Sequence, residues 1–437
     1  MYLDLIPSAN LFYGFIGKDW KRLTIIPNVS DATIIFTASP KVVMGNSVWV
    51  PKGTTVTYIV RATGYKTETG TVLVDQNESI NIELEVLMLT LTVTPTPSNA
   101  IVTLSAEGYV QSGNSIIVPY GTQVMYEVSA TGYISKSSSL YVYTAQTLLV
   151  PLSKVTIVGS GASIATFDGS TWSTVATSSS STTWTGAKYF GDTNYPWAIS
   201  DTGHILRGNG QTASVTSATL YDLDLTPDGN NLLVVGENVI LSQDNVGSWS
   251  TALSVNSTWN SICHGNGLSV VVGEDKGSGY NVALFDGSTW NTSFEGSSGP
   301  IWKDVIYVDD GLNKYYIAVG SDGLMYRTTT SSTWSKYSLL DKHSWTAITY
   351  WDSRYVAVGF DGSIAITEDI TDSTSWSLVR EYSGRSYTDV IGADDYLIAI
   401  GMQGIVSMPT DFTAQQWTDS VVVGSGISWM SAAYYSP

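Results

Sequence analysis

The residues whose types suit acid–base or metal chemistry are scattered thinly along the 437 positions. Two carboxylate pairs, Asp309-Asp310 and Asp394-Asp395, have the composition of a glycosidase acid and base, which must flank one glycosidic bond. Both lie between apolar, strand-like runs, where Asp is favoured because its side chain bonds nearby backbone amides; both are therefore expected to be turns. Asp322-Gly323 and Asp361-Gly362 read as hairpin turns for the same reason. His204, His264 and His343 lack the close His, Cys or Glu spacings of a metal site, so no zinc centre is expected. Cys263 and His264 are adjacent, and adjacent side chains of a strand point to opposite faces, which excludes a thiolate–imidazole pair within that strand. Cys263 is expected as a small buried hydrophobe. No Gly-x-x-x-x-Gly-Lys run is present to cradle a phosphate, and no cofactor is expected.

Aromatic side chains are the other chemical resource, with 15 Trp and 26 Tyr. Most recur at regular intervals and are expected to pack between repeated units. Tyr195, Trp197 and Trp351 fall off that pattern and are candidates for stacking on the apolar face of a sugar ring.

The elements that must position these groups are strands. After Leu152 a unit of about 40 residues recurs. Its clearest copies read YIAVGSDGLMYRT from Tyr316, YVAVGFDGSIAIT from Tyr355 and YLIAIGMQGIVSM from Tyr396. Weaker copies begin at Val155, Pro196, Leu232 and Leu268, giving seven strand–turn–strand hairpins. Most are preceded by an aromatic strand, at Trp184, Tyr221, Trp259, Trp302, Trp345 and Tyr387. Most are followed by another Trp, at Trp249, Trp290, Trp334, Trp376 and Trp417. Four strands per unit make a propeller blade. The first hairpin has its trailing Trp172 but no leading strand, and the chain ends on an orphan leading strand around Trp429. Pairing the two completes a blade and removes the open edges, so residues 154–437 are expected to form a β-propeller, most simply seven-bladed.

FDGSTW occurs at Phe167–Trp172 and again at Phe285–Trp290, and resembles part of the Asp-box of sialidase propellers. That resemblance implies a blade-stabilising turn, not catalysis. Sialidase chemistry would need three arginines around a carboxylate and a Tyr nucleophile assisted by Glu. Nothing in the contexts of Arg207, Arg327, Arg354, Arg380 and Arg385 singles out three, and the chain is read as a non-enzyme.

Ahead of the propeller, an offset of 68 residues aligns the chain with itself, placing Leu23 on Leu91, Pro27 on Pro95 and Ala38 on Ala106. Val50-Pro51-x-Gly53-Thr54-x-Val56-x-Tyr58-x-Val60 falls on Val118-Pro119-x-Gly121-Thr122-x-Val124-x-Tyr126-x-Val128, and Ala62-Thr63-Gly64-Tyr65 on Ala130-Thr131-Gly132-Tyr133. This is a duplication. Period-two alternation broken by Pro-x-Gly and Thr-Gly-Tyr predicts two small antiparallel sandwiches, at 23–90 and 91–153. The second half of each copy resembles the PEGA family of immunoglobulin-like modules, although Pro51-Lys52-Gly53-Thr54 and Pro119-Tyr120-Gly121-Thr122 lack the Glu and Ala of the family's turn. The resemblance implies spacing and adhesion at a surface. The expected fold class is thus all-β, two immunoglobulin-like modules followed by a propeller.

Residues 1–22 match neither repeat, and carry Leu5, Ile6, Leu11, Phe12, Phe15 and Trp20, too apolar to be left in water. They are either an extra strand on the first module or a docking anchor that orders on its partner. Only 13% of the chain is charged, and acids outnumber bases 38 to 20 for a net charge of −18. Such a field repels phosphate backbones and anionic headgroups, so neither nucleic acid nor membrane insertion is expected. The single cysteine excludes an intrachain disulfide, and the N terminus lacks the basic and apolar regions of a signal peptide, so folding in a reducing cytoplasm is expected. The order of anchor, two stalk modules and a broad β-disc resembles virion proteins of tailed bacteriophages, head or tail fibres assembled in the host bacterial cytoplasm. That resemblance implies other virion proteins as partners of the anchor and a host-surface ligand, such as a glycan, for the disc. It leaves open passive decoration of the particle, a cellular surface adhesin or carbohydrate-active propeller, and homo-oligomerisation for avidity.

Overall fold

A computed structural model describes residues 19–436, apart from 177–181, 192, 194, 245–246, 296–300, 322, 341–342, 382–383, 410–416 and 422–425. The chain divides into two compact units, Met1–Val128 with Lys136–Val150, and Ser129–Ser135 with Pro151–Pro437.

The first unit is built twice over from one plan. In the first copy a four-stranded sheet runs Val42–Met44, Ser47–Pro51, Trp20–Pro27, Glu78–Ile82, and a three-stranded sheet runs Thr33–Thr37, Thr54–Arg61, Glu68–Val74. Trp20–Pro27 pairs antiparallel with Ser47–Pro51 and parallel with Glu78–Ile82. Alternate residues of both sheets turn inward: Leu23, Ile25, Val48 and Val50 from one meet Phe36, Val56 and Val60 from the other. Each such side chain contributes about 1.5–3 kcal/mol on burial. The second copy repeats the sheets, with Met88–Thr96 and Ser115–Pro119 central in one and Thr122–Ser129 central in the other. The Pro-x-Gly turns superpose in role as well as sequence. Gly53 and Gly121 both have a φ of +80°, and their amides donate to the carbonyls of Val74 and Val142, again 68 residues apart.

Of residues 1–22, read as either an extra strand or a docking anchor, Trp20 is the first residue of a strand and lies opposite Pro51, as the first alternative has it. The β-fold therefore begins before residue 23, and Trp20 belongs to it. Leu5, Ile6, Leu11, Phe12 and Phe15 lie outside the described residues.

The second unit is a β-propeller of seven antiparallel four-stranded sheets. Going outward, blade one runs Trp429–Tyr435, Lys154–Gly159, Ser163–Phe167, Trp172–Ala176, so the last strand of the chain is the innermost strand of the first blade. Blades two to seven begin with Trp184–Lys188, Leu220–Leu225, Ser257–Gly265, Trp302–Asp309, Trp345–Trp351 and Tyr387–Ala393, each followed outward by the next three strands in sequence. Successive inner strands touch all the way round, and the seventh touches the first.

The repeat Val-Gly has a physical cause in this ring. Each inner strand has a bulge directly after a large apolar residue, aromatic in six blades, and in most blades that residue pairs with a glycine of the second strand: Trp302 with Gly320, Trp345 with Gly359, Tyr387 with Gly401. A Cβ on Gly320 or Gly401 would lie 2.1 or 2.0 Å from the carbonyl oxygen of Ile301 or Ser386. Only hydrogen fits there. In blade two the position is Ser200.

The aromatics at this position of the inner strands are the core. Trp184, Trp259, Trp302, Trp345, Tyr387 and Trp429 are all fully enclosed. In blade three the register assigns the position to Leu220, which pairs with Gly236, and not to Tyr221, the residue expected from sequence. Tyr221 is one place on and faces the channel.

Candidate functional site

The inner strands enclose a channel with a free volume of ≈ 400 Å³. What lines it follows from position along each strand, counted from the enclosed aromatic or Leu220. One place on stand Thr185, Asn260, Thr346 and Thr388, whose side chains donate to the carbonyls of Leu220, Trp302, Tyr387 and Trp429 on the following blade. Two places on, just past the bulge, come Gly186, Asp222, Ser261, Asp304, Ala347, Asp389 and Ser431 in blades two to seven and one.

Those seven positions meet a ring of seven backbone amides, one per blade, at the next residue along. Ser431 accepts the Ala187 amide at 3.2 Å, Asp222 that of Ile262 at 2.9 Å, Ser261 that of Val305 at 3.2 Å, Asp304 that of Ile348 at 2.9 Å and Asp389 that of Ala432 at 2.8 Å. Each of these bonds crosses from one blade to the next. Gly186 and Ala347 have no acceptor to offer the amides of Leu223 and Val390. Those two amides donate instead to the second oxygen of the aspartate in their own blade, Asp222 at 2.8 Å and Asp389 at 2.7 Å. An aspartate thus stands after each gap, and all seven amides are satisfied, as buried amides must be.

A second polar layer lies one turn of the pleat further. Lys188 of blade two donates to Asp224 of blade three, whose same oxygen accepts the His264 amide of blade four at 3.0 Å. Burial opposes the Lys188 charge, but Asp224 and Asp222 outweigh it and hold its pKa above the ordinary value. The carboxyls of the first layer are displaced the other way. Burial pushes Asp222 up to about 7, against the pull of Lys188, and pushes Asp304 up as well. Asp389 rises to about 8 through burial and the neighbouring Asp304. Burial raises the Cys263 thiol well above its usual range, so it is an unreactive core group.

None of the residues singled out from sequence as chemically able forms this ring. Asp310 accepts the amides of Leu312 and Asn313, and Asp309 pairs with Lys314, so this pair caps its own turn. Asp394 has a φ of +48° and accepts the Tyr434 hydroxyl at 2.6 Å. Asp168 and Asp286 each accept two amides and two hydroxyls from the Ser and Thr that follow, the turn expected of FDGSTW. No arginine lines the channel among the described residues. The three histidines sit in different blades, His343 against Asp361 and Ser363, His204 against Thr202, and His264 at the channel. Among the described residues no cluster of three His, Cys, Asp or Glu side chains is placed to hold a metal.

The stacking candidates are also not brought together. Trp351 is buried, its indole N–H donating to the Asp394 carbonyl at 2.8 Å and its ring filling the space beside Gly392. It is a wedge between blades six and seven, not a platform for a sugar. Tyr195 and Trp197, half-buried, pack on two different core clusters in blade two. The signal missed in sequence was short: Trp302-Lys-Asp304-Val, Tyr387-Thr-Asp389-Val, Leu220-Tyr-Asp222-Leu and Trp259-Asn-Ser261-Ile share a pattern of large apolar residue, spacer, Asp or Ser, apolar residue.

No protein-family profile and no curated protein sequence matches the chain. Solved structures align with part of it. One from the mitotic checkpoint complex is 12% identical with a TM-score of 0.43, covering 55% of this chain and 77% of that one. YCF48 from Cyanidioschyzon merolae is 12% identical with a TM-score of 0.42, covering 57% and 94%. The WD40 repeats of RRP9 are 11% identical with a TM-score of 0.42, covering 53% and 78%. The class of the second unit, a β-propeller closed by its own C-terminal strand, rests on its strand pairing.

Proposed function

We propose that this chain is a non-catalytic structural and binding protein, in which two tandem modules accompany a propeller made for display. The observation that carries this reading is the use of the channel. In many-bladed proteins the axial channel is where converging carboxylates would act, and here each carboxylate of the first layer is bonded through both oxygens to backbone amides. A general acid or base must be free to reach its substrate. These groups instead hold blades together.

The setting we infer is the virion of a tailed bacteriophage, as a head or tail fibre or spike that meets the host surface. Duplicated β-modules, read as PEGA-like and immunoglobulin-like on the Pro51-x-Gly53 and Pro119-x-Gly121 turns, suit a spacer. The low charge and abundant hydroxyls suit an exposed particle surface. With Trp351 enclosed, a glycan ligand rests on Tyr195 and Trp197 alone. The test is whether the chain co-purifies with intact particles, and whether removal of residues 1–18 releases it; the deletion stops there because the first strand begins at Trp20. Retention of the whole chain and loss of the shortened one supports the reading. A chain absent from particles and soluble alone ends it.

A further inference from the structure

At one point in the channel the hydrogens balance only if a carboxyl carries a proton. Ser261 Oγ lies 2.8 Å from Asp222 Oδ2 and 2.9 Å from Asp304 Oδ1, and it accepts the Val305 amide at 3.2 Å. A serine hydroxyl has one hydrogen and two lone pairs. Its hydrogen serves one aspartate; one lone pair takes the Val305 N–H, which it shares with Asp304 Oδ1 at 2.8 Å. The remaining contact joins an oxygen lone pair to an ionised carboxylate, which is repulsive, unless that carboxyl donates a proton of its own. With the proton present, every donor and acceptor of the hydroxyl is used.

We propose that Asp222, Ser261 and Asp304 share one carboxyl proton at neutral pH, joining blades three, four and five through a seam that weakens as the pH rises. The charges facing the seam favour this. Blade two contributes Lys188, committed to Asp224 of blade three. Blade three adds Tyr221, and blade four adds Cys263 and His264. Blade five adds Lys303 and Tyr307, with Lys303 one place before Asp304 and its pKa lowered by burial. Blade seven adds Asp389, blade one Tyr434, and blade six lines the channel with no titratable side chain. Four aspartates therefore share the channel with Lys188 and Lys303. Full ionisation leaves net negative charge in a confined space, and a shared proton relieves it. Burial raises both bridging carboxyls, Asp222 to about 7, which agrees in direction. A group whose folded pKa exceeds its unfolded value of 3.8 gives stability that is whole below that value and is lost as pH rises through the folded pKa.

The test is thermal unfolding of the full chain from about pH 5 to about pH 9 in EDTA, with and without added calcium, beside infrared spectra of the protonated-carboxyl band. The melting temperature of the propeller should fall towards alkaline pH. Asp304→Asn should lower the melting temperature overall but flatten that fall: its amide N–H donates permanently to Ser261 and its carbonyl keeps the Ile348 amide, while the Val305 amide loses its bond to Oδ1 and keeps only Ser261. The wild-type infrared band should be present near pH 6 and vanish by pH 9, and Asp304→Asn should remove the seam's share of it while leaving that of Asp389, which burial raises to about 8. A flat wild-type profile, an unchanged slope in Asp304→Asn, or no carboxyl band near pH 6 overturns the proposal. So does alkaline loss that calcium restores, which would assign the compensating charge to a cation.

Discussion

A methyl group placed on Gly401 meets the carbonyl oxygen of Ser386 at 2.0 Å, and both are backbone-bound, so no flexible side chain can give way. The φ of −171° there is ordinary extended backbone, so an alanine suffers no conformational strain and the penalty is purely steric. That carbonyl also accepts the Met402 amide at 3.0 Å. Restoring an ordinary contact requires the inner strand of blade seven to retreat by roughly 1 Å or more, which overpacks the seam for about 1–3 kcal/mol. The retreat also costs much of the Met402 hydrogen bond, about 1–3 kcal/mol for a buried amide left unpaired. Gly401→Ala should therefore destabilise the propeller by about 2–6 kcal/mol, a large part of the ~5–15 kcal/mol typical of a domain. Calorimetry is the suitable assay, because two units need not unfold together and only the propeller transition should move. Gly359→Ala in blade six is the control. There the equivalent carbonyl, of Ser344, is 3.2 Å away and the closer atom, at 2.7 Å, ends the Asp361 side chain, which can turn aside. Loss of less than about 0.5 kcal/mol in Gly401→Ala, or equal damage in Gly359→Ala, would refute the account of the Val-Gly repeat.

Three further outcomes are expected. Trp351→Ala should cost about 3–5 kcal/mol of stability as a vacated wedge between two blades, and should not remove ligand binding selectively from the protein that remains folded; denaturation and binding measured on the same samples separate the two. Asp168→Ala leaves two amides and two hydroxyls without their acceptor and should lower stability at neutral pH. Burial opposes ionisation of Asp168, but those four bonds outweigh it and lower its pKa to about 2, so the contribution is present above the unfolded value of 3.8 and is lost as pH falls through about 2. The gap between variant and wild type in an acid titration should close in that range. Leu220→Trp, which supplies the residue found in most other blades, should destabilise by overpacking, since Leu220 is already fully enclosed in one cluster with Ile199, Ile205 and Val234.

The propeller was legible in the sequence because its outer hairpins repeat with little variation: an apolar run, a glycine that in five blades faces a backbone carbonyl at 2.0–2.3 Å from an added Cβ, a tight turn. Blade three shows the limit of that signal. Tyr221 is aromatic and stands beside the right place, but pairing and burial choose Leu220, since what the site demands is volume between blades, which an aliphatic residue also supplies. Trp351 misled in the opposite sense. Falling off the repeat is what a ligand-stacking residue would do, and it is equally what a wedge specific to one interface does; only its enclosure beside Gly392 separates the two.

The channel layer was not legible, and the reason is a form of degeneracy. Gly, Asp, Ser, Asp, Ala, Asp and Ser at equivalent positions share no residue type that a repeat search would recognise. The demand being met is not for a given side chain at each place but for seven acceptors around the ring. An aspartate, with two oxygens, serves its own blade and the next, which frees the preceding position to be Gly186 or Ala347. It follows that the ring tolerates loss of an acceptor only where an aspartate comes after it. Ser431 has no such support, because Gly186 follows it, so Ser431→Ala should leave the Ala187 amide unpaired and cost about 1–3 kcal/mol. Ser261 is followed by Asp304, whose Oδ1 already accepts the Val305 amide at 2.8 Å, so Ser261→Ala should leave that amide satisfied and reveal mainly the loss of the bridge between the two carboxyls. Hydrogen exchange at the Ala187 and Val305 amides distinguishes these cases. Faster exchange at Ala187 in the first variant, with protection retained at Val305 in the second, is the pattern that a ring of shared acceptors requires.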